Sequence, residues 1–442
     1  MTDETTPETP MAEGGDPRPV PLRRNRDFAK LWVGQFASTL GSQTSYVAYP
    51  LLMLGLTGSP LLAGIVGTAR AVPQWALGLV AGALVDRWDR RRLMLICDVV
   101  RLLALTTMVV GLTTGIVGFP LIVAVALVEG SATVVFLPAE TTALRHVVPA
   151  SQLREASARN ESREYAAMLS GNPLGGALYS IASFVPFLFD AVSYLVSFVS
   201  IFLIRASFRD EGPAGARQPI FASVAYGVRW LWRQPFLRGS TVMVAATNLV
   251  GTALPTTLIV VATGNHAPPV AVGLILTLGG VGGLVGSVFA AWAARRVSAS
   301  WVVVGFPWVW AVLLPFMLLG GSAVWVLGIV FGLMLAAAPL WNSVIFAYRV
   351  VLVPDELQGR VDSSCRFVTQ STAPLGPLLA GVLLEYGSAT LTILALTGFT
   401  GVVGLVGAAT RSLRHPPKIP AVDEMNAQPH QEDAGRDLPM ER

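Results

Sequence analysis

Lysine is almost missing from this chain: Lys30 and Lys418 are its only two. Ala29 and Pro417 precede them, so neither completes the G-x-x-x-x-G-K-[ST] loop that cradles ATP phosphates, and a pump with its own nucleotide site of that kind is excluded. Cysteine is as scarce. Cys97 and Cys365 stand outside any CxxC pair, which argues against a disulfide framework or a zinc site. The four histidines, His146, His266, His415 and His430, are too scattered for a metal centre or a catalytic triad. No metal, no cofactor and no enzymatic activity are therefore expected. Charge as a whole is thin, at 13% of residues where soluble domains carry about a quarter.

What fills the chain instead is apolar. Hydrophobic residues make up 53% of its 442 positions, and the mean hydropathy is +0.60. A bilayer core about 30 Å thick takes roughly 20 such residues per spanning helix, so twelve spans need about 240. These runs are too long for barrel strands of about ten residues, and lipid leaves no water for open backbone groups, so the spans read as helices. Breaking the runs at Pro, Gly and charge places spans at 28–55, 60–85, 93–114, 119–142, 152–180 and 184–205. A second set falls at 236–262, 270–294, 299–319, 323–347, 360–385 and 389–411.

The scarce charges alternate from one connection to the next. Arg87, Arg90, Arg91, Arg92, Arg145, Arg205, Arg209, Arg217, Arg229, Arg233, Arg295, Arg296 and Arg349 all fall in even-numbered connections or beside them. The odd ones, "TGSP", "GIVGFP", "SIASF", "GNHAPP", "GGSA" and "YGSAT", contain neither Lys nor Arg. By the positive-inside rule both termini are expected in the cytoplasm. The same rule accounts for the net charge of +4, so no nucleic-acid partner is expected.

The expected organisation is a cytoplasmic tail over 1–27 and a six-helix bundle over 28–205. A cytoplasmic linker with an amphipathic helix follows over 206–235, then a second six-helix bundle over 236–412 and a disordered cytoplasmic tail over 413–442. The two bundles repeat. Gly82, Trp88, Arg91 and Arg92 recur as Gly286, Trp292, Arg295 and Arg296, about 204 residues on. "RHVVPASQL" at Arg145 recurs as "RVVLVPDEL" at Arg349, and "NPLG" at Asn172 as "APLG" at Ala373. A parallel repeat of six-helix units implies a pseudo-two-fold axis along the membrane normal, with a pathway between the halves.

"GALVDRWDRRR" joins the second and third spans. Its G-x-x-x-D-R-x-x-R-R pattern, Gly82, Asp86, Arg87, Arg90 and Arg91, resembles the loop between helices 2 and 3 of the major facilitator superfamily. The resemblance implies a twelve-helix all-α membrane fold in two bundles, and a latch in which Asp86 meets the cytoplasmic N-terminus of helix 11, near Gly359 and Arg360. A carboxylate suits that place because helix N-termini carry unpaired N–H groups. Lys30, Leu31, Trp32, Gly34, Gln35 and Gly41, with "VVPASQL" and "VPDELQGRV", are similar to the branch containing enterobactin exporters and macrolide efflux proteins. "GNPLGG", with Gly171, Pro173, Gly175 and Gly176, resembles the family's antiporter signature with its Pro displaced by one; packing through small residues is the alternative reading.

Ionisable residues inside a span cost ~3 kcal/mol or more each and are functional candidates by default. Depth counting places Arg70, Glu129 and Glu164 at similar levels. Arg70 and Glu129 are expected to pair; Glu129 and Glu164 are the candidates for proton coupling. Asp190 reads as structural, and Arg366 as snorkelling to the cytosol. Milder polar groups in the middle thirds of their spans mark the candidate cavity: Gln43, Tyr46, Asn248, Thr252, Trp341, Asn342, Thr369 and Gln370. The resemblance thus implies a plasma-membrane exporter of a small amphipathic molecule, an antibiotic, siderophore or related metabolite, working by alternating access against protons. The expected partners are that substrate, protons and membrane lipid. An importer or lysolipid flippase on the same fold, or a non-transporting membrane protein, are the alternatives.

Overall fold

A computed structural model of the protein describes residues 22–205, 220–321 and 323–417, without the side chains of Arg23, Ala83, Asp86 and residues 220–223. Residues 1–21 of the expected N-terminal tail, residues 206–219 of the expected linker and residues 418–442 of the expected C-terminal tail lie outside the described residues. Among those described, all regular structure is helical.

The first half contains α1 (Arg26–Thr57), α2 (Pro60–Arg87), α3 (Arg90–Thr114), α4 (Phe119–Val147), α5 (Leu153–Ile181) and α6 (Val185–Phe202). Then come the linker helix α7 (Ile220–Arg233), α8 (Pro235–Gly264), α9 (Pro269–Ala294) and α10 (Ala299–Leu313). The chain ends with α11 (Trp325–Ala336), α12 (Ala338–Leu352), α13 (Gln358–Gln370), α14 (Leu375–Tyr386), α15 (Ala389–Ala409) and the short α16 (Arg411–Arg414). Nine helical segments among the described residues are long and apolar enough to cross a membrane. With α1, α2 and α5, of 32, 28 and 29 residues, they make up twelve crossings, six in each half.

The connections are short because local chemistry stops and restarts each helix. Gly58, at φ 68°, ends α1 in the left-handed conformation that favours glycine. Ser59 then caps α2, accepting from Leu62 N at 3.3 Å, with Pro60 in the first turn where its missing N–H is harmless. Asp89 caps α3 through Arg92 N at 3.0 Å. Two spans of the second half are interrupted. The tenth changes helix at Ala337, two residues before Pro339, and the eleventh turns over residues 371–374, where Pro374 cannot donate to a helical ladder.

The arginine-rich connections gather at one end of the bundle, called the basic end below. At the opposite end the halves meet along two pseudo-equivalent seams, antiparallel α2 with α14 and α5 with α9. In the first, a Cβ on Gly64 would strike the Pro377 carbonyl, and one on Gly381 the Pro60 carbonyl. In the second, a Cβ on Gly273 would strike the Asn172 carbonyl, and one on Gly176 the Pro269 carbonyl. The repeat is therefore present in three dimensions as two backbone-to-backbone contacts. Glu385 tightens the first seam by accepting from Ser59 Oγ at 2.7 Å and from Leu61 N at 3.1 Å.

Towards the basic end the seams part. Their last close contacts are the Trp75–Phe367 ring stack at 5.8 Å and the approach of Leu169 and Met168 to Gly280. Beyond them Gly78, Gly82 and Gly283 face open space. Among the described residues the two halves are in contact at one end and part towards the basic end.

Candidate functional site

The open cleft narrows onto a polar core inside the first bundle. Glu129 of α4 is 0% exposed and accepts from three side chains. They are Tyr49 Oη of α1 at 2.7 Å, Arg70 Nη2 of α2 at 2.9 Å and Tyr194 Oη of α6 at 3.3 Å. Arg70 also donates to the Ser42 carbonyl at 3.3 Å and lies over the rings of Tyr46 and Tyr49. The expected Arg70–Glu129 pair thus forms. Its two ends differ: the Arg70 side chain keeps 21% of its exposure and Glu129 1%, so the pair runs from a partly exposed base to a fully buried acid. Tyr46, 40% exposed, stands beside Arg70 on that wall.

A second ion pair continues inward. Arg101 Nη2 of α3 binds Asp98 Oδ1 one turn away, and Ser197 Oγ of α6 donates to Asp98 Oδ2 at 2.7 Å. Gln35 Nε2 of α1 donates to that Ser197 hydroxyl at 3.1 Å. The Arg101 guanidinium is sandwiched by the rings of Phe136 and Tyr194, at 4.2 and 4.3 Å. Tyr194 therefore touches both pairs, Glu129 through its hydroxyl and Arg101 through its ring. Asp190, one turn before Tyr194 on α6, is 0% exposed and accepts from Ser193 Oγ at 3.2 Å.

Sequence reasoning overlooked Asp98 and Arg101. The signal was there: an acid and a base three residues apart inside an otherwise apolar span are neighbours on one helix face. It also overlooked the buried Glu140–Arg163 pair between α4 and α5, at 2.8 Å. That pair bears on Glu164, which does not join Arg70 and Glu129. The Glu164 side chain is 59% exposed and lies 3.7 Å from Arg163. Glu140 follows Glu129 by three turns of α4 towards the basic end, so Glu164 lies at another level of the bundle as well as on an exposed face, and counting from the ends of the spans misplaced it.

The candidate cavity residues divide. Asn342 and Thr369 line one recess of about 400 Å³ with Val244, Ser343, Ile345, Phe346 and Arg349. Asn248 donates to the Thr369 carbonyl at 2.9 Å and Thr252 to the Ala373 carbonyl at 2.9 Å, so both splint α8 to the broken eleventh span. Gln370 is partly exposed beside them and Gln43 packs against Gly171. Trp341 is placed elsewhere. It is 3% exposed, stacked on Phe306 at 4.2 Å, and donates to the Val303 carbonyl at 3.2 Å, all within the second bundle.

In "GNPLGG", Gly171 and Gly175 press on Gln43 and Thr44 of α1, while Pro173 and Gly176 face α9. At the basic end, Arg91 binds the Phe202 carbonyl at 2.5 Å, Arg90 is buried, and a Cβ on Gly82 or Gly359 would meet nothing. Arg87 ends α2 in the exposed turn before Asp89. The side chain of Asp86 lies outside the described residues, and with it the expected latch to α13. Arg366, 78% exposed, pairs with Asp362 at 2.9 Å rather than standing alone.

Two pseudo-symmetric six-helix halves, sealed at one end, open at the other, with buried ion pairs beside the cleft, define a multi-pass membrane protein of the secondary-transporter class. Comparison with known proteins identifies the group: the chain belongs to the Major Facilitator Superfamily, whose family model matches residues 31–361. It is 28% identical over 397 residues to the multidrug efflux pump Tap of Mycolicibacterium fortuitum, covering 84% of this chain and 91% of that protein. It is 27% identical over 390 residues to the pump of the same name from Mycobacterium tuberculosis H37Rv, with the same coverage. Among solved structures it resembles a bacterial homologue of the human lysosomal transporter Spinster in an inward-facing, unoccupied conformation. That likeness has a TM-score of 0.68 at 13% identity, over 90% of this chain and all of the other. The protein is a transporter of small molecules.

Proposed function

We propose that this protein exports small amphipathic molecules across the plasma membrane in exchange for protons, with the basic end and both termini in the cytoplasm. The observation that carries the coupling is the Arg70–Glu129 pair, fully buried at its acid end and partly exposed at its basic end. An isolated charge at that depth is costly, so the pair holds while Glu129 is ionised and separates when it takes a proton. A substrate that draws Arg70 toward the cleft would favour that proton's arrival or departure, which is the link antiport requires. Glu164 is the second candidate carboxylate, on the exposed face of α5.

Export is supported by the efflux role in the names of the relatives, and the inward orientation of the cleft by the arginine distribution. The recess around Asn342, Phe346 and Thr369 offers amide, hydroxyl and ring together, a surface for molecules with apolar bodies and a few polar groups. A lipid-like substrate is favoured by one feature: an apolar groove of about 470 Å³ where α7 meets α2 and α13, lined by Leu79, Val224, Val228, Arg229, Trp232 and Phe367.

The test is transport by the purified protein in liposomes under an imposed pH gradient, with a macrolide, a siderophore, an amphipathic dye and a lysolipid as substrates. Substrate movement against its own gradient, with matching proton flux, is expected of the wild type and absent from Glu129→Gln. Equal coupling in Glu129→Gln would overturn the assignment. Lysolipid movement alone would replace the substrate class.

A further inference from the structure

The polar core of the first bundle does not balance. Three carboxylates, Asp98, Glu129 and Asp190, share it with two guanidinium groups, Arg70 and Arg101. Each arginine is ion-paired, Arg70 with Glu129 and Arg101 with Asp98, and their remaining buried nitrogens, Arg70 Nη1 and Arg101 Nε, make no hydrogen bond to Asp190. Asp190 has no cation of its own. Its Oδ1 accepts from Ser193, and its buried Oδ2 is faced by the Ser45 hydroxyl of α1, which stops short of a well-formed hydrogen bond, so its only close donors are neutral hydroxyls.

We propose that Asp190 carries the transported proton in this inward-open conformation, leaving Glu129 and Asp98 ionised. The inference rests on the antiport reading above but moves the proton from the paired carboxylate to the unpaired one. A buried acid with no cation of its own and only hydroxyl donors beside it is costlier ionised than neutralised, whereas an acid held by an arginine and two tyrosines keeps its charge. Glu129, with Tyr49, Arg70 and Tyr194, is the second kind. Asp190 is the first.

The groups around Asp190 come from every neighbouring element with a charged or titratable member. These are Tyr49 of α1, Arg70 of α2, Arg101 of α3, Glu129 of α4 and Tyr194 of its own helix. Gly41 of α1 is a further constraint, since a Cβ there would run into Asp190 and Ser193. Tyr194 supplies the connection: its hydroxyl contacts both Glu129, at 3.3 Å, and Ser42 Oγ, at 2.9 Å. When the halves rock and Arg70 is withdrawn from Glu129, the cluster holds one cation fewer. A second carboxylate must then be neutralised, so the proton count of the core changes with conformation. The balance is simple: a proton moves from water to a carboxylate oxygen and later returns, and no other bond is made or broken.

Infrared difference spectroscopy of the full-length protein in liposomes at neutral pH tests this directly. The wild type should show the C=O stretch of a neutral carboxylic acid. Asp190→Asn should abolish it, and Asp190→Glu, which retains a carboxyl, should shift it. A wild type without that band, or a band unchanged in Asp190→Asn, would overturn the proposal. In transport, Asp190→Asn should keep downhill substrate exchange while losing proton-driven accumulation; full accumulation would equally overturn it. If instead wild-type transport proves independent of protons while the band behaves as stated, the antiport reading fails and the protonation of Asp190 stands.

Discussion

Glu385 should hold the sealed end shut. It lies one residue before the end of α14 and binds the N-terminus of α2 across the seam, taking Ser59 Oγ at 2.7 Å and Leu61 N at 3.1 Å. Replacing it with Ala removes two charge-assisted hydrogen bonds and the attraction of a carboxylate to a helix N-terminus. Such bonds contribute about 1.5–3 kcal/mol when shielded, but these are exposed and water replaces them in part, so about 0.5 kcal/mol each is the appropriate scale. The helix terminus adds roughly 0.5 kcal/mol. The total, about 1.5 kcal/mol, shifts the closed-to-open equilibrium of this end by roughly tenfold. Spin labels on cysteines placed at Ile181 and Tyr386, which are 74% and 79% exposed in opposite halves, would report the separation. Cys97 and Cys365 are buried and interfere little. Glu385→Ala should enlarge the long-distance population about tenfold, and Ser59→Ala should add little once Glu385 is gone. A distance distribution unchanged within twofold would refute the reasoning.

The second seam makes a steric counterpart. Gly176→Leu places a side chain against the Pro269 backbone, which cannot yield as a flexible side chain would. The same label pair should then show the sealed end held open and transport lost, whereas Gly283→Leu, which meets nothing, should be tolerated. Within the second bundle, Trp341→Ala and Asn342→Ala should separate stability from selectivity. The first empties a buried site at a cost of about 3–5 kcal/mol and lowers the melting temperature. The second should leave melting unchanged and alter which substrates compete.

Glu385 also shows how the two ends of one helix pair are related. Antiparallel α2 and the eleventh span each end near the other's beginning, so each can offer a carboxylate to the other's free N–H groups. Glu385 does so at the sealed end; Asp86, at the opposite end of α2, is the residue that the family resemblance assigns to the same task there. Closing one end and opening the other would exchange one such contact for another, with little net electrostatic cost.

Much of this protein was legible in one dimension, because a bilayer imposes strict rules on a chain. Length, hydropathy and the breaks at Pro, Gly and charge together point to twelve helices, since lipid leaves backbone groups no other partner. The alternation of arginine-rich and arginine-free connections sets which ends lie together. The recurrence of Gly82, Trp88 and Arg91 at Gly286, Trp292 and Arg295 sets the two-fold plan. Pairing of Arg70 with Glu129 could be anticipated because both sit at one depth and neither can stay isolated. What the tertiary structure decided is azimuth and company. Glu164 lies nearer the basic end, beside the Arg163–Glu140 pair and away from Glu129; Trp341 shares the level of Asn342 but lies buried against Phe306. Asp190, unremarkable as one acid in an apolar helix, acquires meaning only when five buried charges from α2, α3, α4 and α6 are brought together and their sum is odd. Depth follows from residue number at 1.5 Å per step, whereas the charge balance of a core depends on which helices pack side by side, and no local pattern records that.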